Sequence, residues 1–331
     1  MRILVTGSAG HLGEALMRTL RGSAHEPIGL DVLPSEFTDV TGSIAERDTV
    51  RACMAGVDAV LHAATLHKPH VATHARRAFV DVNVTGTLNL LEEAGAAGVK
   101  AFVFTSTTST FGRALVPPPG APAAWITEAV VPVPKNIYGA TKVAAEDLCE
   151  LVQRDTGMPC IVLRTSRFFP EDDDDGAARS AFDGDNLKVS EFLYRRVDIE
   201  DVVDAHLLAI ERAPRIGFGR YLISATTPFT PADLPELRRD AAAVVRRRVP
   251  AFEAEYARRG WSMVAAIDRV YVNERARREL GWQPRHDFAA LIARLRDGAD
   301  FRSPLARAIG AKGYHRRAPP PLTSAPRASE P

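Results

Sequence analysis

The chain predicts a doubly wound parallel α/β sheet with a smaller, discontinuous C-terminal region. Three observations carry this. Short β-rich apolar runs alternate with longer helix-like stretches over the first half of the sequence. Those runs do not alternate apolar with polar, so both faces of each strand are expected to be covered by helices. Gly56 and Gly98 fall where helices would end, just before the next strand.

Taken in order, RILVTG (2–7) reads as a first strand and HLGEALMRTLRG (11–22) as the helix that follows. PIGLD (27–31) is a second strand, with a polar loop and a helix around 45–55 behind it. DAVLHAA (58–64) leads into one long helix through FVDVNVTGTLNLLEEAGAAG (79–98). AFVFTS (101–106) precedes a Pro-rich segment, VPPPGAPAAW (116–125), and then the helix YGATKVAAEDLCELVQRD (138–155) and the strand PCIVLR (159–164). Beyond 165 the pattern breaks up, and 168–186 is acidic and loop-like. DIEDVVDAHLLAIERA (198–213) reads as a helix and GRYLISA (219–225) as a strand. The expected division is a core over 1–165, a second region over 166–315 from which 198–225 returns to the core, and a disordered Pro- and Ser-rich tail over 316–331.

With 331 residues, 46% hydrophobic and 25% charged, the chain can bury a sizeable core. Its 42 basic and 41 acidic residues leave a net charge of +1, so no global field draws it to nucleic acid or to a membrane surface. Cys53, Cys149 and Cys160 are odd in number and lack a CxxC spacing, which fits a reduced, cytoplasmic setting rather than a disulfide framework. No apolar run approaches the roughly 18 residues of a membrane span. MRILVTG reads as a strand, not as a signal peptide.

Three local patterns point to chemistry. TGSAGHLG (6–13) puts Gly7, Gly10 and Gly13 between a strand and a helix, the context of a phosphate-binding turn. Gly7 permits the tight turn, Gly10 lets the backbone approach a pyrophosphate, and Gly13 allows close packing of helix on strand. The helix starting near His11 then aims its N–H groups at the anion. Asp31 ends the second strand about 20 residues on, where a carboxylate accepts both ribose hydroxyls of an adenosine and repels a 2′-phosphate, favouring NAD over NADP. YGATK places Tyr138 and Lys142 at i and i+4 on one helix face. An ammonium ~5 Å from a phenol at an effective dielectric of ~20 favours phenolate by about 3 kcal/mol, or roughly two pKa units.

TGSAGHLG, Asp31, DAVLHAA, Asn83 in DVNVTGTLNLLEEA, FVFTSTTSTFG and YGATK occur in the order and rough spacing of the extended short-chain dehydrogenase/reductases. The chain resembles their NAD-dependent epimerase/dehydratase branch, strongly over 1–165 and loosely over 195–300. The resemblance implies a Rossmann-type fold and NAD as cofactor. It implies a catalytic Thr107 (Ser106 being the second choice), Tyr138 and Lys142, the last two also contacting the cofactor. The cofactor wall implied is Gly7, Ala9, Gly10, His11, Leu12, Gly13, Asp31, Ser43, Ile44, Ala63, Ala64, Thr65, Asn83 and Thr105. Ser43 stands where the family often has Asp, and Asn83 is expected in a scaffold role at a bend. The activity implied is hydride transfer on a hydroxylated, sugar-like small molecule by an epimerase or dehydratase of a sugar or nucleotide sugar. The alternatives are a dehydrogenase/reductase of a non-nucleotide substrate and a redox-silent NAD-binding regulatory protein. A homodimer across the YxxxK helix and the helix before it is implied as well.

The chain departs from the family pattern at several points. LRTSRFFP has Arg167 where nucleotide-sugar relatives place an asparagine, and YRRVDIEDV stands where they carry an R-x-(F/Y)-I-H-V-x-D stretch. Arg167, Arg195 and Arg196 are candidates to hold a phosphate or carboxylate of the substrate by forked hydrogen bonds, with solvated arginines as the alternative. His67 and Ser109 are further substrate candidates. His67, His70 and His74 are spaced like metal ligands, but no cysteine or acid matches them and no metal is expected. EDDDD (171–175) reads as a solvated loop. Trp125 is open between ring stacking and packing. The LGW-x-P stretch near 280–284 is expected to pack the small domain.

Overall fold

The structure is a computed structural model that describes residues 1–171 and 180–313. The disordered-tail expectation for 316–331 and residues 172–175 of the acidic run lie outside the described residues.

Seven parallel strands form the main sheet. They are β1 (Arg2–Thr6), β2 (Glu26–Asp31), β3 (Val40–Thr41), β4 (Ala59–His62), β5 (Ala101–Thr107), β7 (Cys160–Thr165) and β8 (Phe218–Ile223), in the order β3-β2-β1-β4-β5-β7-β8. The order reverses beside β1, which opens a crevice between β1 and β4 at the carboxyl ends of the strands. The unbroken apolar runs have a direct cause in packing. Ile3 and Val5 of β1 point into a core with Leu16 and Leu20 of α1 (His11–Arg21) and Val203 and Ile210 of α7 (Ile199–Ile216). Leu4, between them, points into the opposite core with Leu90 and Leu91 of α4 (Gly86–Ala96) and Cys149 of α5 (Ile137–Thr156). Both faces are dry, so nothing in the sequence needs to alternate.

The stretch read as one helix over 79–98 is interrupted. α3 (Arg76–Val80) passes into a π-helical turn over Asp81–Thr85 before α4 begins. Asn83 lies in that turn, and its long-range hydrogen bonds, described below, favour the extra residue. α5 starts on the Asn136 side chain, which accepts from the Gly139 N–H at 3.1 Å, and stops at Gly157, whose φ is 76°.

A second core sits over the carboxyl edge of the sheet. Phe192, Phe229, Val244, Phe252, Phe288 and Leu295 build it, and Trp125 packs on its margin rather than standing free. Trp125 belongs to β6 (Ala124–Ile126), which pairs with β9 (Arg269–Tyr271) in a small parallel sheet. Trp282 of the LGW-x-P stretch does not serve this core. It is fully buried in the main one, where its indole N–H donates to the Asp201 carbonyl of α7 at 2.9 Å. The indole needs a buried acceptor, and the first turn of α7 supplies it. Among the described residues, no helix is long and apolar enough to cross a membrane.

Candidate active site

The turn between β1 and α1 is built for close approach. Gly7 has φ 74°, and a Cβ there would lie 2.7 Å from the Ala64 nitrogen. A Cβ on Gly13 would lie 1.9 Å from the Gly7 carbonyl oxygen. Gly10 is the N-cap of α1 and offers no side chain to the first helical N–H groups. Leu12 is buried in the main core. At the end of β2, Asp31 accepts from the Ala9 N–H at 3.0 Å and from the Leu33 N–H at 2.9 Å, and burial raises its pKa against these bonds. A backbone cradle only glycines can form, with a carboxylate beside it, fits the pyrophosphate and adenosine ribose of a dinucleotide.

The opposite wall hangs on Asn83. Its Oδ1 accepts from the Thr65 hydroxyl and the Leu66 N–H, both at 2.9 Å. Its Nδ2 donates to the Leu66 carbonyl at 2.9 Å and to Thr141 of α5 at 3.1 Å. Asn83 thus fixes the strand exit Ala63–Ala64–Thr65 against the helix that bears Tyr138 and Lys142. His62, beneath it, bridges Thr6 at 2.8 Å and Thr87 at 3.0 Å, and burial presses its pKa well below 6.5. Ser43 accepts from the Ala45 N–H at 3.1 Å, and Ile44 is buried against Gly86 with its carbonyl taken by Asn89 at 3.0 Å. The Ile44 side chain therefore belongs to the core.

Thr107, Tyr138 and Lys142 come together at the carboxyl end of β5. Thr107 Oγ1 accepts from the Ser109 N–H at 3.1 Å, and the Thr107 side chain tends to lower the Tyr138 phenol's pKa. Ser109 therefore acts here through its backbone. Ser106, the second choice, faces away and donates to Glu146 at 2.5 Å. The electrostatics differ from the sequence expectation. Burial pushes the Tyr138 phenol up to about 12, with Thr107 acting against it. Burial also pushes Lys142 down to about 7. Burial and not Lys142 decides the phenol, and Lys142 Nζ is held against β5, donating to the Thr105 carbonyl at 2.7 Å and lying 3.9 Å from the Phe104 ring centroid. Thr105 is itself pinned, since its hydroxyl lies 2.8 Å from His206 Nε2 while His206 Nδ1 meets the Val202 carbonyl at 2.7 Å. Lys142 and Tyr138 are 2% and 8% exposed, so desolvation decides both groups.

The substrate candidates separate. Arg196 is buried and spent: Nε donates to Glu191 at 2.7 Å and Nη1 to the Phe169 carbonyl at 2.8 Å. A buried guanidinium needs such partners, and Arg196 accordingly fixes the loop rather than reaching an outside anion. Arg167 lies on the same bridge, paired by backbone with Arg196, and donates to the Glu171 carbonyl at 3.0 Å. Phe169 spans the crevice, its ring 5.3 Å from that of His11 and 5.6 Å from that of His67. His67, His70 and His74 form a run, with ring separations of 4.5 and 5.0 Å, and His70 Nδ1 accepts from the His67 N–H at 3.1 Å.

Sequence reasoning missed several of these groups. Glu171 reaches back to His11, with Oε1 3.1 Å from Nε2. Burial tends to raise its carboxyl, but that bond, with the Lys312 N–H, holds it at about 2. Only the acidic run as a whole was visible in the sequence. Glu146 is one turn beyond Lys142, and its burial has no local signal. Among the described residues, Asp198, Glu200 and His286 are grouped closely enough to suggest a cation site. Their atoms are already used: Asp198 accepts from the Glu200 and Ser303 N–H groups, and His286 meets Glu200 and Arg294, each at 2.9 Å.

With this geometry in place, the chain was compared with known proteins. The model of the NAD dependent epimerase/dehydratase family matches residues 3–223. The UDP-glucose 4-epimerase of Rhizobium meliloti (strain 1021) is 28% identical over 331 positions, spanning 87% of this chain and 94% of that protein. The dTDP-glucose 4,6-dehydratase of Streptomyces antibioticus is 30% identical over 338 positions, spanning 90% and 92%. A short-chain dehydrogenase/reductase superfamily protein from Agrobacterium tumefaciens, solved with bound NAD, superposes with a TM-score of 0.62 at 25% identity, covering 90% of this chain and 98% of that one. The glycine cradle and the parallel sheet now have relatives, and the chain belongs to the NAD-dependent epimerase/dehydratase family of extended short-chain dehydrogenase/reductases, a family of NAD-dependent enzymes.

Proposed function

We propose that the enzyme inverts or oxidises a carbinol of a sugar-like substrate, that Thr107, Tyr138 and Lys142 are its catalytic residues, and that a nucleotide sugar is the first substrate class to test. The placing of Tyr138 and Lys142 on one face of α5 against the carboxyl end of β5, where Lys142 Nζ donates to the Thr105 carbonyl at 2.7 Å and Thr107 ends the strand, carries this reading. Gly7, Gly10 and Gly13 with Asp31 would hold the dinucleotide. Bound NAD supplies the hydride acceptor and, on the return step, the donor. The Thr107 hydroxyl orients the reacting substrate oxygen. Tyr138 Oη, held as a phenol by burial in the nucleotide-free chain, would act as the base only as phenolate, after giving up its own proton to water; it then takes the substrate oxygen's proton and returns it when the carbonyl is reduced. Lys142, one helical turn beyond Tyr138, would bind the cofactor's ribose.

Inversion is favoured over dehydration. Elimination of water needs an acid and a base besides the phenol. The residues after Thr107 are Thr108, Ser109 and Thr110, and hydroxyls do neither job near neutral pH. One observation supports the second reading, a dehydrogenase of a substrate without a diphosphate: Arg196 is consumed inside the fold, which leaves fewer cations for such a group.

The test is a panel of UDP- and dTDP-hexoses incubated with the NAD-loaded enzyme and followed by NMR and by absorbance at 340 nm. The expected result is inversion at one carbon without net NADH. Stoichiometric NADH with a ketone product would instead establish the dehydrogenase, and loss of signals at a deoxygenated carbon the dehydratase. We also propose a homodimer across α4 and α5, where Leu151 is 40% exposed, and a cytoplasmic setting consistent with three buried free thiols. Light scattering of the purified chain checks the first.

A further inference from the structure

Tyr138, Lys142 and Glu146 occupy successive turns of one face of α5. Glu146 is 1% exposed and is held from three directions. Ser106 donates to it at 2.5 Å, Arg164 donates through Nε and Nη2 at 3.1 and 2.6 Å, and Arg220 Nε stands 3.4 Å away. Arg164 is itself 4% exposed. Burying an ion pair costs desolvation that its attraction seldom exceeds, and apolar side chains of similar volume would fill the space at least as well. Packing alone therefore gives no reason for a carboxylate at 146.

Its position one helical turn beyond the buried Lys142, on the same face of α5, does. We propose that Glu146, held by Ser106, Arg164 and Arg220, is a positioning residue that acts through Lys142: it is the counter-charge that keeps Lys142 an ammonium inside the core. This rests on the reading of Tyr138 and Lys142 as the proton-handling pair.

Among the described residues, the groups around Lys142 leave no other candidate. From α5 it faces Tyr138, Glu146 and Cys149, and burial holds the Cys149 thiol well above its ordinary value, so it stays neutral. From β4 it faces His62, kept neutral by burial and by Lys142 itself. From β5 it faces the Phe104 ring and the Thr105 carbonyl. Behind Glu146 stand Arg164 of β7 and Arg220 of β8, both cations. Burial drives Lys142 down to about 7, and Glu146 is the foremost group opposing that drive. Without its carboxylate, Lys142 would face two guanidinium groups and no anion.

The chain has six lysines, Lys68, Lys100, Lys135, Lys142, Lys188 and Lys312, so a lysine-labelled full chain gives a tractable NMR titration. Lys142 is assigned by its loss in Lys142→Met. In the wild type it is expected to titrate at about 7 or above, and a midpoint below about 6 would overturn the proposal, because the counter-charge would not be doing its job. In Glu146→Gln the midpoint is expected to drop by about one to two units. Ser106→Ala, which keeps the carboxylate, is expected to leave it within about 0.3 units. If Glu146→Gln does not fold, the swap Glu146→Leu with Arg164→Met removes both buried charges together and is expected to show a smaller drop in the same direction. An unmoved Lys142 in either variant refutes the proposal. The titration uses neither substrate nor NAD, so it can fail while Tyr138→Phe still abolishes turnover, and it can succeed when turnover has no dependence on Tyr138.

Discussion

Replacing Asn83 by alanine tests whether the cofactor wall and the catalytic helix are held together by one side chain. Asn83 is 2% exposed and makes four hydrogen bonds, three at 2.9 Å and one at 3.1 Å. A typical net contribution is about 1 kcal/mol per bond, and leaving buried partners unsatisfied adds to the loss, while water entering the small void recovers part of it. The expected cost is about 2–4 kcal/mol. With a urea m-value of about 3 kcal/mol/M, the unfolding midpoint falls by about 1 M. The assay is urea unfolding of nucleotide-free protein followed by fluorescence, with calorimetric titration of NAD on the folded variant. NAD affinity is expected to fall by about tenfold or more, since the Thr65–Leu66 segment loses its tether. Asn83→Asp should be no better, because an oxygen would then face the Leu66 carbonyl in place of a donor. A variant within about 0.5 kcal/mol of the wild type, with unchanged NAD affinity, would refute the reasoning.

Other outcomes follow from the same geometry. Gly13→Ala would place a Cβ 1.9 Å from the Gly7 carbonyl, and NAD affinity measured by calorimetry should drop by more than about 100-fold as the turn N–H groups leave hydrogen-bonding range. Tyr138→Phe should lower turnover by about 10²–10⁴-fold while NAD affinity changes by less than about twofold. Arg196→Ala should destabilise the fold by about 2–3 kcal/mol, read from chemical unfolding, because Glu191 loses its buried partner and keeps only Arg195; an effect on KM alone would return Arg196 to the substrate. Burial pushes His206 from 6.5 down to about 4, so the unfolded chain binds its proton first as pH falls. Its contribution is therefore whole above pH 6.5 and is lost between about 6.5 and 4, an amount of about 3 kcal/mol. The stability gap between wild type and His206→Gln should shrink by that amount when unfolding is compared at pH 7 and pH 4.

The main sheet was legible because its chemistry is local. Runs such as ILV and AVLH bury both faces, and the glycines that end helices stand at fixed places. The cradle was legible for the same reason, since Gly7 and Gly13 are demanded by a turn only a few residues long. What stayed hidden depends on partners distant in the chain. The π-helical turn at Asp81–Thr85 looks helical in sequence, and Leu66 and Thr141 give it its purpose. The β6–β9 pairing joins 124–126 to 269–271 with no local signal in either segment. The YxxxK spacing placed Tyr138 and Lys142 side by side but carried no information on burial, and burial reverses the direction expected for the phenol. Arg196 looked available because its acceptors, Glu191 and the Phe169 carbonyl, are brought to it only by the folded loop.

The most direct measurement is a calorimetric titration of nucleotide-stripped protein with NAD and then with NADP. The cradle of Gly7, Gly10 and Gly13, with the Asp31 carboxylate at the ribose end, predicts one NAD per chain and NADP binding weaker by about 10²-fold or more, with the gap narrowing in Asp31→Asn. Absence of NAD binding by folded protein, or equal affinity for the two nucleotides, would contradict the account at its base.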